Sequence, residues 1–201
     1  MGNRRAALGV VAAFTVYLYP AHAHVELEQY SQQRVNAVVG PANVDITVEF
    51  RFTGPASLFQ RKQMDTNGDG ALSEEERQEY LTTIANQAEE GLRLQIDEKP
   101  CALIPLYDPE LDILDSTGIE AHPHVLRLHY FARTPESLHV GSTILLDSHM
   151  WTDTPWLVAS SVHGSDGIEI SGAPNPGLRR PSKEPKSIRV LEAKCVSKGE
   201  G

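Results

Sequence analysis

Asn43-Val-Asp-Ile-Thr-Val-Glu-Phe-Arg-Phe52 alternates strictly, with Val44, Ile46, Val48, Phe50 and Phe52 on one side of an extended chain and Asp45, Thr47, Glu49 and Arg51 on the other. Successive side chains of a strand point to opposite faces, so this period of two predicts a strand with one buried and one wet face. The same period recurs at Leu92, Leu94 and Ile96, at Leu126, Leu128 and Tyr130, at Leu138, Val140, Ser142, Ile144 and Leu146, and within 157–162. Clusters of Gly, Pro, Asp and Asn separate the runs. Short strands divided in this way predict a mainly β protein, two stacked antiparallel sheets in an immunoglobulin-like sandwich.

Between Phe52 and Leu92 the period changes. Pro55 and Ala56 open a short helix through Leu58 and Phe59 to Met64, and Ser73 caps a second helix running through Tyr80, Leu81, Ile84 and Ala88 to Gly91. The insertion, 55–91, has Leu58, Phe59, Leu72, Leu81 and Ile84 as its expected apolar anchors. Between the helices lies Asp65-Thr-Asn-Gly-Asp-Gly-Ala-Leu-Ser-Glu-Glu-Glu76. Calcium takes six to eight oxygens, and a twelve-residue loop supplies them from positions 1, 3, 5, 7, 9 and 12. Asp65, Asn67 and Asp69 fill the first three, Ala71 offers its carbonyl, Ser73 can act through water, and Glu76 can close the shell with both oxygens. Gly70 stands at the sharp turn of position 6.

A solvated acidic turn is the plainer reading of Asp, Asn and Gly. Turn chemistry does not, however, ask for Glu76 at position 12 or for Leu72 at position 8. Ser73 and Glu76 also form a helix capping box, so part of the pattern has a structural origin as well. Two residues depart from the EF-hand pattern: Arg77 follows the loop where an apolar residue is usual, and Arg61 stands four before it in place of an aromatic. Both are expected to weaken helix packing and to leave ligation alone.

Met1 to Ala23 reads as a secretory signal, with Arg4 and Arg5 before an apolar stretch from Ala6 to Tyr19 and small residues at Ala21 and Ala23. The apolar stretch falls short of the roughly 20 residues that cross a bilayer, so the chain from His24 is expected in the periplasm or outside the cell, without membrane insertion. In that oxidising setting Cys101 and Cys195 are expected to pair as a disulfide joining the tail to the body. Residues 24–172, the expected sandwich domain, carry nine Lys and Arg against 24 Asp and Glu, a formal charge of −15. Such a surface repels nucleic acid and favours divalent cations. Residues 173–201 form a basic, proline-containing tail, read as a solvated linker over 172–185 followed by a terminal strand.

The order of these features, from Ala21-His-Ala-His24-Val through the long alternating strand and the Asp65–Glu76 loop to Gly91-Leu-Arg-Leu-Gln-Ile-Asp-Glu-Lys99, resembles exported bacterial proteins of uncharacterised role. In these, one EF-hand-like segment interrupts a β-sandwich, and they are similar to periplasmic domains associated with HupE/UreJ-type metal permeases. The resemblance covers about 24–150. It implies an envelope location, a calcium ion as ligand, and a membrane permease or other envelope protein as partner.

Two other classes compete with a calcium-binding module. A carrier of copper, nickel or cobalt would use His24, His122 and His124, the last two placed by His122-Pro-His124 on an extended segment that would point both rings one way. A hydrolase would draw on Ser161, His163, Ser165 and Asp166, but 162–167 reads as a hairpin and lacks a Gly-x-Ser-x-Gly elbow. The sequence therefore predicts no enzyme.

Overall fold

The computed structural model describes residues 30–114, 116–171, 177–179 and 188–196. The expected signal 1–23 and His24 lie outside them.

Two strands open the described chain, β1 (Ser31–Val39) and β2 (Asn43–Phe52), followed by the helices α1 (Gly54–Met64) and α2 (Glu74–Gly91). Then come β3 (Leu92–Ile96), β4 (Lys99–Cys101), β5 (Ile104–Pro105), β6 (Glu110–Asp112), β7 (His124–Arg133), β8 (Thr143–Ser148), β9 (Trp156–Gly164), β10 (Glu169–Ser171), β11 (Gly177–Arg179) and β12 (Ile188–Val196). Among the described residues the strands form two sheets: one ordered β11-β9-β1-β2-β7-β5 with β6 also on β7, the other ordered β10-β12-β8-β3-β4. Pairing is antiparallel except where β1 runs parallel to β9, from Ser31 opposite Trp156 to Val39 opposite Gly164.

The alternation of β2 sets the layering. Val44, Ile46, Val48, Phe50 and Phe52 are all buried, and β7 supplies Leu126, Leu128, Tyr130 and Ala132 on the same side. Across from them Leu92, Leu94 and Ile96 of β3, Ile144 and Leu146 of β8, and Leu191 and Ala193 of β12 belong to the same core. Two sheets closing on one apolar core is the arrangement of a β-sandwich. At one end Phe50, Phe52, Trp151 and Trp156 make edge-on contacts, with Phe52 and Trp151 rings 5.0 Å apart, and the two helices sit between β2 and β3 in the chain. No helix of the described residues is long and apolar enough to cross a membrane.

Several expectations are corrected. The run from Leu138 to Leu146 is a strand only from Thr143, because Gly141 takes φ +101 and turns the chain, leaving Val140 60% exposed. The terminal strand expected in the tail is β12, which lies between β10 and β8 and buries Val190, Leu191, Ala193 and Cys195. Cys101 and Cys195 are free thiols, and β8 and β3 lie between their strands. Three strand spacings of about 4.8 Å separate them by about 14 Å, twice the ~7 Å that a disulfide tolerates between Cα atoms. Burial instead pushes both thiols above their ordinary pKa. Of the expected anchors, Leu72, Leu81 and Ile84 are buried, but Phe59 is 57% exposed and α1 buries Ser57, Gln60, Arg61 and Met64.

Candidate functional site

Both helix ends that flank Asp65–Glu76 are shaped by the residues there. Pro in the first turn starts α1, where its missing N–H costs nothing, and the Asp65 N–H closes it on the Arg61 carbonyl at 3.1 Å. At the other end Ser73 caps α2. Its Oγ accepts from the Glu76 N–H at 3.2 Å while the Glu76 carboxylate accepts from the Ser73 N–H at 2.9 Å, the reciprocal box expected from the sequence. Three glutamates, Glu74 to Glu76, occupy the first turn of α2, where the helix dipole favours negative charge.

Inside the loop the side-chain oxygens gather backbone N–H groups. Asp65 Oδ1 accepts from Gly68 at 2.9 Å and Asp69 at 3.1 Å, and Oδ2 from Gly70 at 3.1 Å. Gly70 takes φ +85, a conformation a side chain would strain, and so lets the chain turn around Asp65. Asn67 Oδ1 accepts from the Asp69 N–H at 2.7 Å, and Asp69 Oδ1 from the Ala71 N–H at 2.9 Å. Glu76 is the only one of the six candidate ligands that is buried, at 5% exposure. Its Oε1 reaches across the loop to the N–H groups of Thr66 at 2.9 Å and Asn67 at 3.2 Å, and its Oε2 accepts the Ser73 hydroxyl at 2.8 Å. The Ser73 bonds first, then those from Asn67 and Thr66, hold its carboxyl down to about pKa 2.

The twelfth loop residue therefore lies beside the second and third. The oxygens are nonetheless committed to the loop's own donors. Among the described residues no three His, Cys, Asp or Glu side chains converge as a metal-holding group. The donor types and the folded backbone fit a hard cation; the carboxylates would have to draw closer together to hold one.

Sequence reasoning missed what lies on the far side of the loop. The Leu72 N–H donates to the Thr117 carbonyl at 2.7 Å, and Ala71 forms an isolated antiparallel bridge with Gly118. That segment is fixed by Arg61, whose guanidinium is fully buried and spends all five N–H donors on backbone carbonyls. Nε donates to His122 at 3.0 Å, Nη1 to Ser116 at 2.7 Å and Gly118 at 2.6 Å, and Nη2 to Ile113 at 3.0 Å and Pro123 at 3.3 Å. Far from weakening the packing of α1, Arg61 ties it to the 113–123 segment through five bonds. The only trace in the sequence is that a cation replaces the usual aromatic at this position.

The histidine pair does not share a direction. His124 is buried, its ring stacked on Phe52 at 4.9 Å and its Nδ1 2.9 Å from Ser57 Oγ. Ser57 donates its own proton to the His122 carbonyl, so Nδ1 carries the ring proton and Nε2 is left buried without a partner. Desolvation, reinforced by the nearby Arg61 charge, lowers the His124 pKa to about 3. His122 points to solvent, 3.7 Å from Glu120. Around the candidate hydrolase residues, Ser161 Oγ donates to Asn36 at 2.9 Å, while Ser165 Oγ faces the Val39 carbonyl and Asp166, both at 3.4 Å.

Beside the loop, Met64, Glu76, Tyr80, Ile84 and Trp151 line a cleft of about 530 Å³ between the two helices and the turn after β8. Among its lining residues Tyr80 Oη donates to Gln60 Oε1 at 2.9 Å. No family model, curated protein or solved structure matches the chain.

Proposed function

We propose that Asp65–Glu76 binds one calcium ion, that with α1 and α2 it forms a single EF-hand set into an immunoglobulin-like sandwich, and that the chain is an exported calcium-binding protein. The observation that carries this reading is Glu76 reaching back across the loop to Thr66 and Asn67. It brings the last oxygen donor of the loop next to the first ones, which a plain acidic turn does not require.

Chemistry supports the choice of ion. Asp65, Asn67, Asp69, Ser73, Glu76 and the Ala71 carbonyl offer oxygen alone, which suits a hard cation and gives no thiolate or imidazole for a transition metal. Export is the reading of Met1 to Ala23, and extracellular calcium is abundant enough for a weak site. With three formally negative ligands and an extracellular setting, affinity in the micromolar to millimolar range suffices. With one such loop in the chain, a paired-hand opening that bares a target groove is not expected, and the ion's role is structural. It would tie the end of α1 to the start of α2. A permease or other envelope protein remains the partner this reading implies.

Calorimetry tests it. The protein should take up calcium with a stoichiometry near one, and Glu76→Gln should abolish the heat. Absence of heat in the wild-type protein, or undiminished binding by Glu76→Gln, contradicts the proposal.

A further inference from the structure

The carbonyls that receive Arg61 come from one stretch of chain, and that stretch also carries the backbone partner of the candidate loop. Asp65 begins the loop one turn after Arg61, with its N–H on the Arg61 carbonyl. Ala71 and Leu72, in the middle of the loop, are bonded to Gly118 and Thr117. Arg61 Nη1 holds the carbonyls of Ser116 and Gly118, the two residues on either side of Thr117. One guanidinium therefore fixes both the first position of the loop and the surface against which its middle is bonded.

We propose that residues 116–118 serve Asp65–Glu76 as the backbone partner that a second loop would supply, and that Arg61 is the positioning residue that sets the loop's affinity for calcium. The proposal rests on the calcium reading given above. A lone loop must be ordered by its ion, and that ordering subtracts from the binding free energy; a loop already bonded to a fixed strip of backbone loses less. The cation suits the task because its five donors form a rigid planar fork. Lysine, with three donors on a single nitrogen, leaves at least two of the five carbonyls without a partner. None of the loop's oxygens touches Arg61, so its effect on the ion passes through position alone. Outer partners of metal ligands commonly change affinity by about 10- to 100-fold.

Two measurements test this. Calcium titration of Arg61→Lys, well below its melting temperature, should give a Kd raised about 10-fold or more with faster calcium release; a residue that only supports the fold would lower the melting temperature and leave Kd alone. Amide exchange on the wild-type protein covers the case in which that variant does not fold. Calcium should slow exchange at Leu72 and at residues 116–118, because coupling between two sites is reciprocal. An unchanged Kd in folded Arg61→Lys, or calcium that binds the wild type without slowing those amides, overturns the proposal and leaves the calcium reading standing. Failure of the wild-type protein to bind calcium at all removes the reading, and the proposal falls with it.

Discussion

The sandwich and the helical insert are held by different forces. In the sandwich, Phe50 and Phe52 each meet Trp151 and Trp156 with ring centroids 4.9 to 5.5 Å apart, and strand after strand turns aliphatic side chains into one core. Such contacts are small, numerous and mutually substitutable. The insert shares that core through Met64, Leu72, Leu81 and Ile84, but it adds buried polar bonds, from Arg61 and Ser57 to the 113–124 segment and, within itself, between Gln60 and Tyr80 and between Glu76 and the loop. Hydrogen bonds of this kind contribute modestly when whole and cost heavily when one partner is lost. Loss of a large core side chain should thus weaken the whole molecule, and loss of a polar partner the insert alone.

The largest effect should come from the core. Trp156→Ala empties a fully buried site and should cost about 4 kcal/mol, read from the urea midpoint, with sandwich and helices unfolding together. Arg61→Ala should cost about 3 kcal/mol, because it leaves buried carbonyls unpaired. Here the damage should be local: limited proteolysis and amide exchange should find 54–91 and 116–123 opened while β3, β8 and β12 stay protected. Even loss of protection over both sheets would mean that the insert is not a separate unit.

Acid should act on the insert as well. Folded His124 stays neutral down to about pH 3, whereas the unfolded chain takes up that proton near the ordinary 6.5. Between those values the unfolded state binds more protons, so stability falls as pH drops, by about 1.4 kcal/mol at pH 5.5. Glu76 adds the same sign lower down. Its carboxylate stabilises the fold above its ordinary 4.5, and this is lost as pH falls toward about 2. Urea midpoints from pH 7.5 to 5 should therefore slope downward in the wild type, and His124→Phe should flatten that slope. The smallest effect belongs to Ser73→Ala, which removes half of the capping box. It should cost about 1 kcal/mol and raise exchange in the first turn of α2 without touching the strands.

What the sequence revealed follows the same division. Strand β2 is legible because five apolar residues in alternation leave one reading, and the loop is legible because oxygen donors, Gly70 and Glu76 stand at fixed spacing in one short run. β1 escapes because its inward positions begin with Ser31 and Gln33, polar residues that break the apolar pattern although both are buried. β12 is legible only as a terminal strand of the tail; its place in the core is hidden by Arg189 and Lys194 on its outer face. Arg61 is illegible for a deeper reason: its partners lie 52 to 62 residues away and are carbonyls, which every residue type possesses. The disulfide expectation failed because cysteine count and compartment carry no distance.

Calcium-dependent amide exchange, paired with thermal unfolding, tests the central claim most directly. An ion that binds the folded state alone stabilises by about 2.7 kcal/mol at roughly a hundredfold above Kd, so the melting temperature should rise with calcium and less with magnesium. Gained protection should concentrate between Pro55 and Gly91 and at residues 116–118, with the strands of both sheets unchanged. Protection spread evenly over the strands, or calcium binding that leaves 55–91 unaltered, would show that Asp65–Glu76 is not the site and that the ion does not organise the insert.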